Sequence, residues 1–247
     1  MSVQPLRIVD LQQSYGTDSL VLAGVSLEVV AGDAIALVGM NGAGKTSLIK
    51  AILDFITVDS GIIEIYGTSQ TDYRARRQLS FLPEHFKPPY YLKGIEFLDM
   101  MSSLYRAEHA HAEIAYYSRS LGLDPAALAK PVRQYSKGMA QKLGLVACLA
   151  SGRDLLVLDE PMSGLDPKAR HQFKQVLREK RERGMTLLFS THLLADVGDI
   201  CNRMAILHEG KIRFCGTPDE CCRQFNADDI ESAYMNCIGF ERDQSAC

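Results

Sequence analysis

An α/β fold is predicted for this chain by three features of its sequence. Wholly apolar segments at 34–38, 155–158 and 186–189 read as buried parallel strands. A helical pattern lies between the second and third of them, so strand and helix alternate as a parallel-sheet core requires. The first third carries short strands instead. There Val25, Leu27 and Val29 alternate with Ser26 and Glu28, the pattern of an antiparallel sheet with one wet face.

In chain order, the predicted elements begin with strands over Leu6 to Leu11, Leu20 to Leu22 and Val25 to Val29. Ala34 to Val38 follows, then a glycine-rich loop, then Lys45 to Leu53, where Leu48, Ile49, Ile52 and Leu53 recur at helical spacing. From Phe86 to Ser151 the texture is helical, with Ile95, Leu98, Met100, Met101 and Leu104 in one run, and reads as an α-helical insertion. Near its end Ser136 stands as a natural N-cap before Met139, Leu143, Val146, Ala147 and Ala150, again at helical spacing. Strands Leu155 to Leu158 and Thr186 to Phe189 flank a helix from Pro167 to Arg183. Ala205 to Leu207 and Lys211 to Cys215 form a hairpin around Glu209-Gly210. A last helix, Ile230 to Ile238, follows Asp228 and Asp229 and sets Ile230, Ala233, Tyr234, Cys237 and Ile238 on one face.

At 247 residues and 47% hydrophobic content the chain can bury a core without disulfides. Its net charge of −3 does not suit a phosphate-rich polymer, so no nucleic-acid partner is expected. No apolar run approaches the ~20 residues of a spanning helix. Residues 1–10 lack the basic and apolar regions of a secretory signal, which points to the cytosol and makes any membrane role depend on a partner protein. Seven cysteines without CxxC spacing read as reduced thiols, and Cys221-Cys222 has no second cluster with which to complete a zinc site.

Gly39-Met40-Asn41-Gly42-Ala43-Gly44-Lys45-Thr46 satisfies GxxxxGK[ST] between a predicted strand and a predicted helix. Glycines there let backbone N–H groups curl around phosphate oxygens, and the following helix points its positive end at them. Lys45 supplies a cation for the β and γ phosphates, and Thr46 a hydroxyl ligand for Mg²⁺. Asp159 ends an apolar strand at the edge where α/β sheets bind ligands and is suited to hold Mg²⁺, directly or through water. Glu160 follows, either to orient or deprotonate an attacking water or to form a structural ion pair. His192 closes the next apolar strand at the same edge, as a γ-phosphate contact or a hydrogen-bonded structural residue. The capped start of the helix after Ser136 is either ordinary capping or a second phosphate clamp.

Taken in order, these segments resemble the nucleotide-binding domain of ABC transporters from about Leu6 to Glu220. GMNGAGKT resembles its Walker A motif, LLVLDE its Walker B strand and glutamate, YSKGM its signature, SGLDP at 163–167 its D-loop, and Ser190-Thr191-His192 its switch histidine. The resemblance implies a P-loop NTPase core with a RecA-like parallel sheet, an N-terminal antiparallel β subdomain and an inserted α-helical subdomain. Within a single ATPase domain over 1–247, residues 1–85 and 152–222 would form the core, 86–151 the helical signature subdomain and 223–247 a helical tail. It implies ATP and Mg²⁺ as ligands. Carried over by position, it places Gly39 to Thr46 and Ser47 around the phosphates, with Tyr15 stacked on adenine or serving only as a strand-end tyrosine. Lys45, Glu160 and His192 take catalytic roles, Thr46, Asp159 and Glu84 surround the metal, and Ser136, Gly138 and Asp166 reach a nucleotide held by a second subunit.

The sequence departs from the family pattern at two points. Its signature reads Ser136-Lys137-Gly138-Met139 where SGGQ is usual, and Leu82-Pro83-Glu84 brings a carboxylate where a glutamine is common. Both variants are similar to those of exporter cassettes whose ATPase and membrane subunits are separate chains. The lack of an [NT]KxD motif argues against a GTPase. The resemblance therefore implies an ATP-hydrolysing subunit that energises transport, in the export direction, by closing and opening as a dimer, preferably a homodimer. It would sit on the cytoplasmic face of the cell membrane, against a separate transmembrane subunit. Phe86, Pro88, Pro89, Tyr90, Tyr91 and Phe97 either pack the insertion onto the core or receive that partner.

Overall fold

A computed structural model describes residues 3–16, 19–107 and 110–239. β1 (Leu6–Tyr15) and β2 (Ser19–Val29) pair antiparallel. β2 is one strand where the sequence suggested two, because a bulge lets Leu22 and Val25, three residues apart, both face inward. Gly24, at φ +85°, supplies the left-handed backbone between them. β3 (Ala34–Val38) leads through the glycine loop into α1 (Lys45–Ile52). Then come β4 (Ser60–Ile65), β5 (Thr68–Ser69), α2 (Tyr73–Arg76) and β6 (Leu79–Leu82). None of these four is evident from pattern: β4 turns only Ile63 and Ile65 fully inward, and β6 is too short to display a period.

The insertion contains α3 (Gly94–Tyr105), α4 (Ala110–Ser120), α5 (Pro125–Leu128) and α6 (Lys137–Leu149). After it, β7 (Leu155–Leu158), α7 (Pro167–Glu182), β8 (Thr186–Thr191) and α8 (Val197–Ile200) return the chain to the core. The hairpin of β9 (Arg203–His208) and β10 (Lys211–Gly216) follows, then α9 (Pro218–Gln224) and α10 (Ile230–Cys237). Asp229 caps α10 by accepting from the Ser232 N–H. α9 escaped the sequence reading because it fully buries only Cys221, although Thr217 and Glu220 form a capping box at its start.

One sheet runs β2-β1-β4-β5 and the larger runs β10-β9-β3-β8-β7-β6. In the larger sheet β9, β3, β8, β7 and β6 are parallel, and only β10 pairs antiparallel. Both of its faces are buried, which explains the unbroken apolar strands. Ala36, Val38, Leu156, Leu158, Leu187 and Phe189 face the helices of the insertion and α7. Ile35, Leu37, Leu155, Val157 and Leu188 face α1 and the antiparallel sheet. Burying one such aliphatic side chain stabilises by about 1.5–3 kcal/mol, so the sheet between two cores is a stiff platform. Every parallel strand ends at the same edge, and the glycine loop, Glu84, Asp159, Glu160 and His192 all follow strand ends there.

Six cysteines from Cys148 to Cys237 carry free thiols; Cys247, like the tail beyond 239, lies outside the described residues. Among the described residues no helix is long and apolar enough to cross a membrane.

Candidate functional site

The loop between β3 and α1 takes its shape from its glycines. A Cβ at Gly39 would lie 2.5 Å from the Leu207 carbonyl oxygen, so this residue can only be glycine. Gly42 and Gly44, at φ +84° and +106°, turn the chain through conformations other residues rarely adopt. The loop then enters α1, whose first N–H groups have no helical partners and face an incoming anion.

Lys45 opens that helix and is only 7% exposed. Its ammonium donates to the carbonyl oxygens of Gly39 at 2.7 Å and Met40 at 3.3 Å, folding back along the loop. Burial pulls its pKa below the ordinary lysine value, while the carboxylates of Glu160, Asp159 and Glu84 pull the other way. Glu160 Oε1 is 3.8 Å from Lys45 Nζ and 3.0 Å from His192 Nδ1. One carboxylate oxygen thus joins the loop's cation to the histidine from the neighbouring strand.

Asp159 and Glu160 are held by a residue whose role the sequence did not disclose. The Ser190 hydroxyl donates to Asp159 Oδ1 at 2.5 Å and accepts from the Glu160 backbone N–H at 2.9 Å. That clamp holds Glu160 at φ +46°, a left-handed conformation uncommon for a non-glycine residue and a form of strain found at working sites. The signal was faint: Ser190 is a fully buried hydroxyl directly after the apolar run Leu187 to Phe189.

These residues surround a cleft of about 570 Å³. Met40, Asn41, Gly42, Gly44, Lys45, Thr46 and Ser47 form one wall, and Glu84, Glu160 and His192 the other. Val21 and Ser163, the latter the first residue of the SGLDP segment, also line it. Gly39 and the buried Ala43 shape the loop from behind. Tyr15 lies beside the cleft, its hydroxyl 3.4 Å from Ser47 Oγ and its side chain 46% exposed.

Volume, backbone donors and the buried ammonium fit a nucleoside triphosphate. Thr46 and Glu84 at the cleft, with Asp159 at the strand end behind, offer hard oxygen donors. Among the described residues no three His, Cys, Asp or Glu converge into a self-contained metal cage. A donor set of this size fits Mg²⁺, which is held by one or two carboxylates together with substrate phosphates.

Ser136, Gly138 and Asp166 do not line this cleft. Ser136 caps α6 by accepting from the Met139 N–H at 3.2 Å, and Asp166 caps α7 by accepting from the Ala169 N–H at 2.9 Å. The latter bond holds the Asp166 carboxyl below its usual range. The aromatic cluster divides. Phe86 and Phe97 pack edge-to-face at 5.7 Å within the core, whereas Tyr90 and Tyr91 are 70% and 68% exposed.

The family model described as "ABC transporter" matches residues 22–163. An uncharacterized ABC transporter ATP-binding protein of Synechocystis sp. is 37% identical over 79% of this chain, a stretch that spans only 56% of that relative's own length. The Nod factor export ATP-binding protein I of Burkholderia orbicola is 34% identical over 88% of this chain and 72% of its own. Among solved structures, one titled "Structure of ATP binding subunit of ABC transporter" superposes with a TM-score of 0.88 at 32% identity, covering 94% of this chain and 98% of the other. This chain belongs to the ABC transporter family.

Proposed function

We propose that this chain is the ATP-binding and ATP-hydrolysing subunit of an ABC transporter that drives export through a separate membrane subunit. The observation that carries the reading is the sharing of Glu160 Oε1 by Lys45 and His192 at the mouth of the glycine loop. When ATP enters, the backbone N–H groups of residues 39–46 take its phosphates, and the Lys45 ammonium exchanges the carbonyls of Gly39 and Met40 for phosphate oxygens. That exchange frees Glu160 to accept a proton from, or orient, the water attacking the γ-phosphate. His192 keeps its Nδ1 on Glu160 and turns the rest of its ring toward the cleft that it lines. Thr46, Asp159 and Glu84 would hold Mg²⁺, which supplies charge neutralisation of the phosphates. Tyr15 takes the adenine at the open side.

Ser136, Gly138 and Asp166 stand away from the chain's own cleft, so they act in this reading on a nucleotide bound by a second copy. Two chains then enclose two ATP molecules, closing when ATP binds and opening after hydrolysis. Export is favoured by the Nod factor export relative and by the signature variant at Lys137 and Met139. The exposed Tyr90 and Tyr91 suit contact with the membrane subunit at the cytoplasmic face.

Glu160→Gln tests the reading. The amide keeps the shape and hydrogen bonding needed for ATP to bind but lacks the basic oxygen needed for turnover. The variant is expected to bind ATP, to stop hydrolysing it, and to sediment as a dimer with ATP and as a monomer with ADP. Hydrolysis at the parent rate would remove Glu160 from catalysis, and a monomer at saturating ATP would remove the homodimer.

A further inference from the structure

One turn of α6 grips the loop that leaves Glu160, and it does so at two points. Gln141, buried to 4% exposure, donates its amide N–H to the Pro161 carbonyl at 2.9 Å, directly after Glu160. Four residues earlier on the same helix face, Lys137 lays its methylene stem over Gly164. A Cβ at Gly164 would lie 3.1, 3.2 and 3.3 Å from Lys137 Cε, Cδ and Cγ, so three successive carbons cover the bare α-carbon. Gly138 adds to the grip, for a Cβ there would lie 3.0 Å from the Gly164 carbonyl oxygen. Between the two points Met162 is buried in the same core as Leu143 and Val146 of α6, and Leu165 follows just beyond.

The near end of this helix carries Ser136 and Gly138, and the far end of the gripped loop carries Glu160. Residue 160 is strained and its N–H is held by Ser190, so its carboxylate is aimed by whatever fixes residue 161. A helix of 13 residues moves as a rigid body, so displacement of its first turn is passed to residues 161 and 164. The family's usual glycine at position 137 has no stem with which to make this contact.

From these contacts we infer that Lys137 and Gln141 are positioning residues that couple the phosphate-facing start of α6 to Glu160 of the same chain. When one chain closes on its partner's nucleotide, the Lys137 stem and the Gln141 amide carry that event to its own catalytic carboxylate. The inference rests on the dimeric ATPase reading above and adds to it a route between the sites. Lys137 acts here through its carbon stem and not through its charge.

A pair of substitutions separates these two properties. Lys137→Met removes the charge and keeps an unbranched stem, whereas Lys137→Ala removes both and leaves helix propensity intact. Residue 137 is exposed, so both variants are expected to fold, and their melting temperatures check this. Coupling contributions of this kind change rates by roughly 2- to 30-fold. Lys137→Ala is expected to lower kcat within that range with KM for ATP unchanged, while Lys137→Met, which keeps the stem, should hold kcat close to the parent value. Gln141→Leu should reproduce the kcat loss. In the Glu160→Gln background, ATP-dependent dimerisation should survive Lys137→Ala, because the stem acts after closure. Equal turnover in the Met and Ala variants would overturn the inference: if both are impaired the ammonium acts directly on phosphate, and if neither is the stem is idle. Failure of the ATPase reading would look different, since the parent protein itself would then show no ATP-dependent dimer and no turnover.

Discussion

Replacing Lys45 with methionine separates what the residue contributes to the fold from what it contributes to chemistry. In the structure its ammonium makes charge-assisted hydrogen bonds to Gly39 and Met40 at 2.7 and 3.3 Å. Such bonds contribute about 1.5–3 kcal/mol each at best. Burial of the ammonium, which holds its pKa low, offsets much of this. Methionine keeps the apolar stem, so folding stability should change by no more than about 1–2 kcal/mol. Turnover should respond differently. Loss of one group aimed at developing charge costs about 2.7–4 kcal/mol in the transition state, or roughly a hundred- to a thousandfold in rate. Phosphate release at saturating and limiting Mg²⁺-ATP, with a thermal melt of the same preparation, measures both quantities. A variant that melts with the parent and retains turnover within tenfold of it would falsify the placement of ATP phosphates in this loop.

Three further outcomes are expected. Tyr15→Ala should raise KM for ATP more than it lowers kcat, since stacking is felt about equally in ground and transition states; a kcat defect at unchanged KM would make Tyr15 structural. Gly39→Ala forces a Cβ to within 2.5 Å of the Leu207 backbone oxygen, so it should destabilise by about 1–3 kcal/mol and weaken ATP binding as the loop moves. Unchanged melting and affinity would contradict the close approach of β9 to the loop. Phe173→Ala empties a fully buried site where α7 meets the core and should cost about 3–5 kcal/mol in denaturant unfolding, and a loss below about 1 kcal/mol would refute tight packing there.

Much of the architecture was legible because strongly periodic segments have one way to bury their apolar residues. Ala34–Val38, Leu155–Leu158 and Thr186–Thr191 are strands with both faces covered, and α1, α6, α7 and α10 begin where Lys45, Ser136, Pro167 and Asp229 announced them. β4, β6 and α9 were missed because each is too short or has too few inward residues to show a period.

The same division runs through the candidate site. Motif spacing alone determined which residues would meet at the sheet edge, since a glycine loop, two carboxylates and a histidine that follow parallel strands must emerge on one side. Only the tertiary structure decided how they touch. Ser190 bridging Asp159 to the Glu160 backbone, one Glu160 oxygen shared by Lys45 and His192, and the Lys137 stem lying on Gly164 are contacts between residues far apart in the chain. Local pattern carries no trace of them, because a sequence period records which face of an element is buried and not which atom of another element it meets.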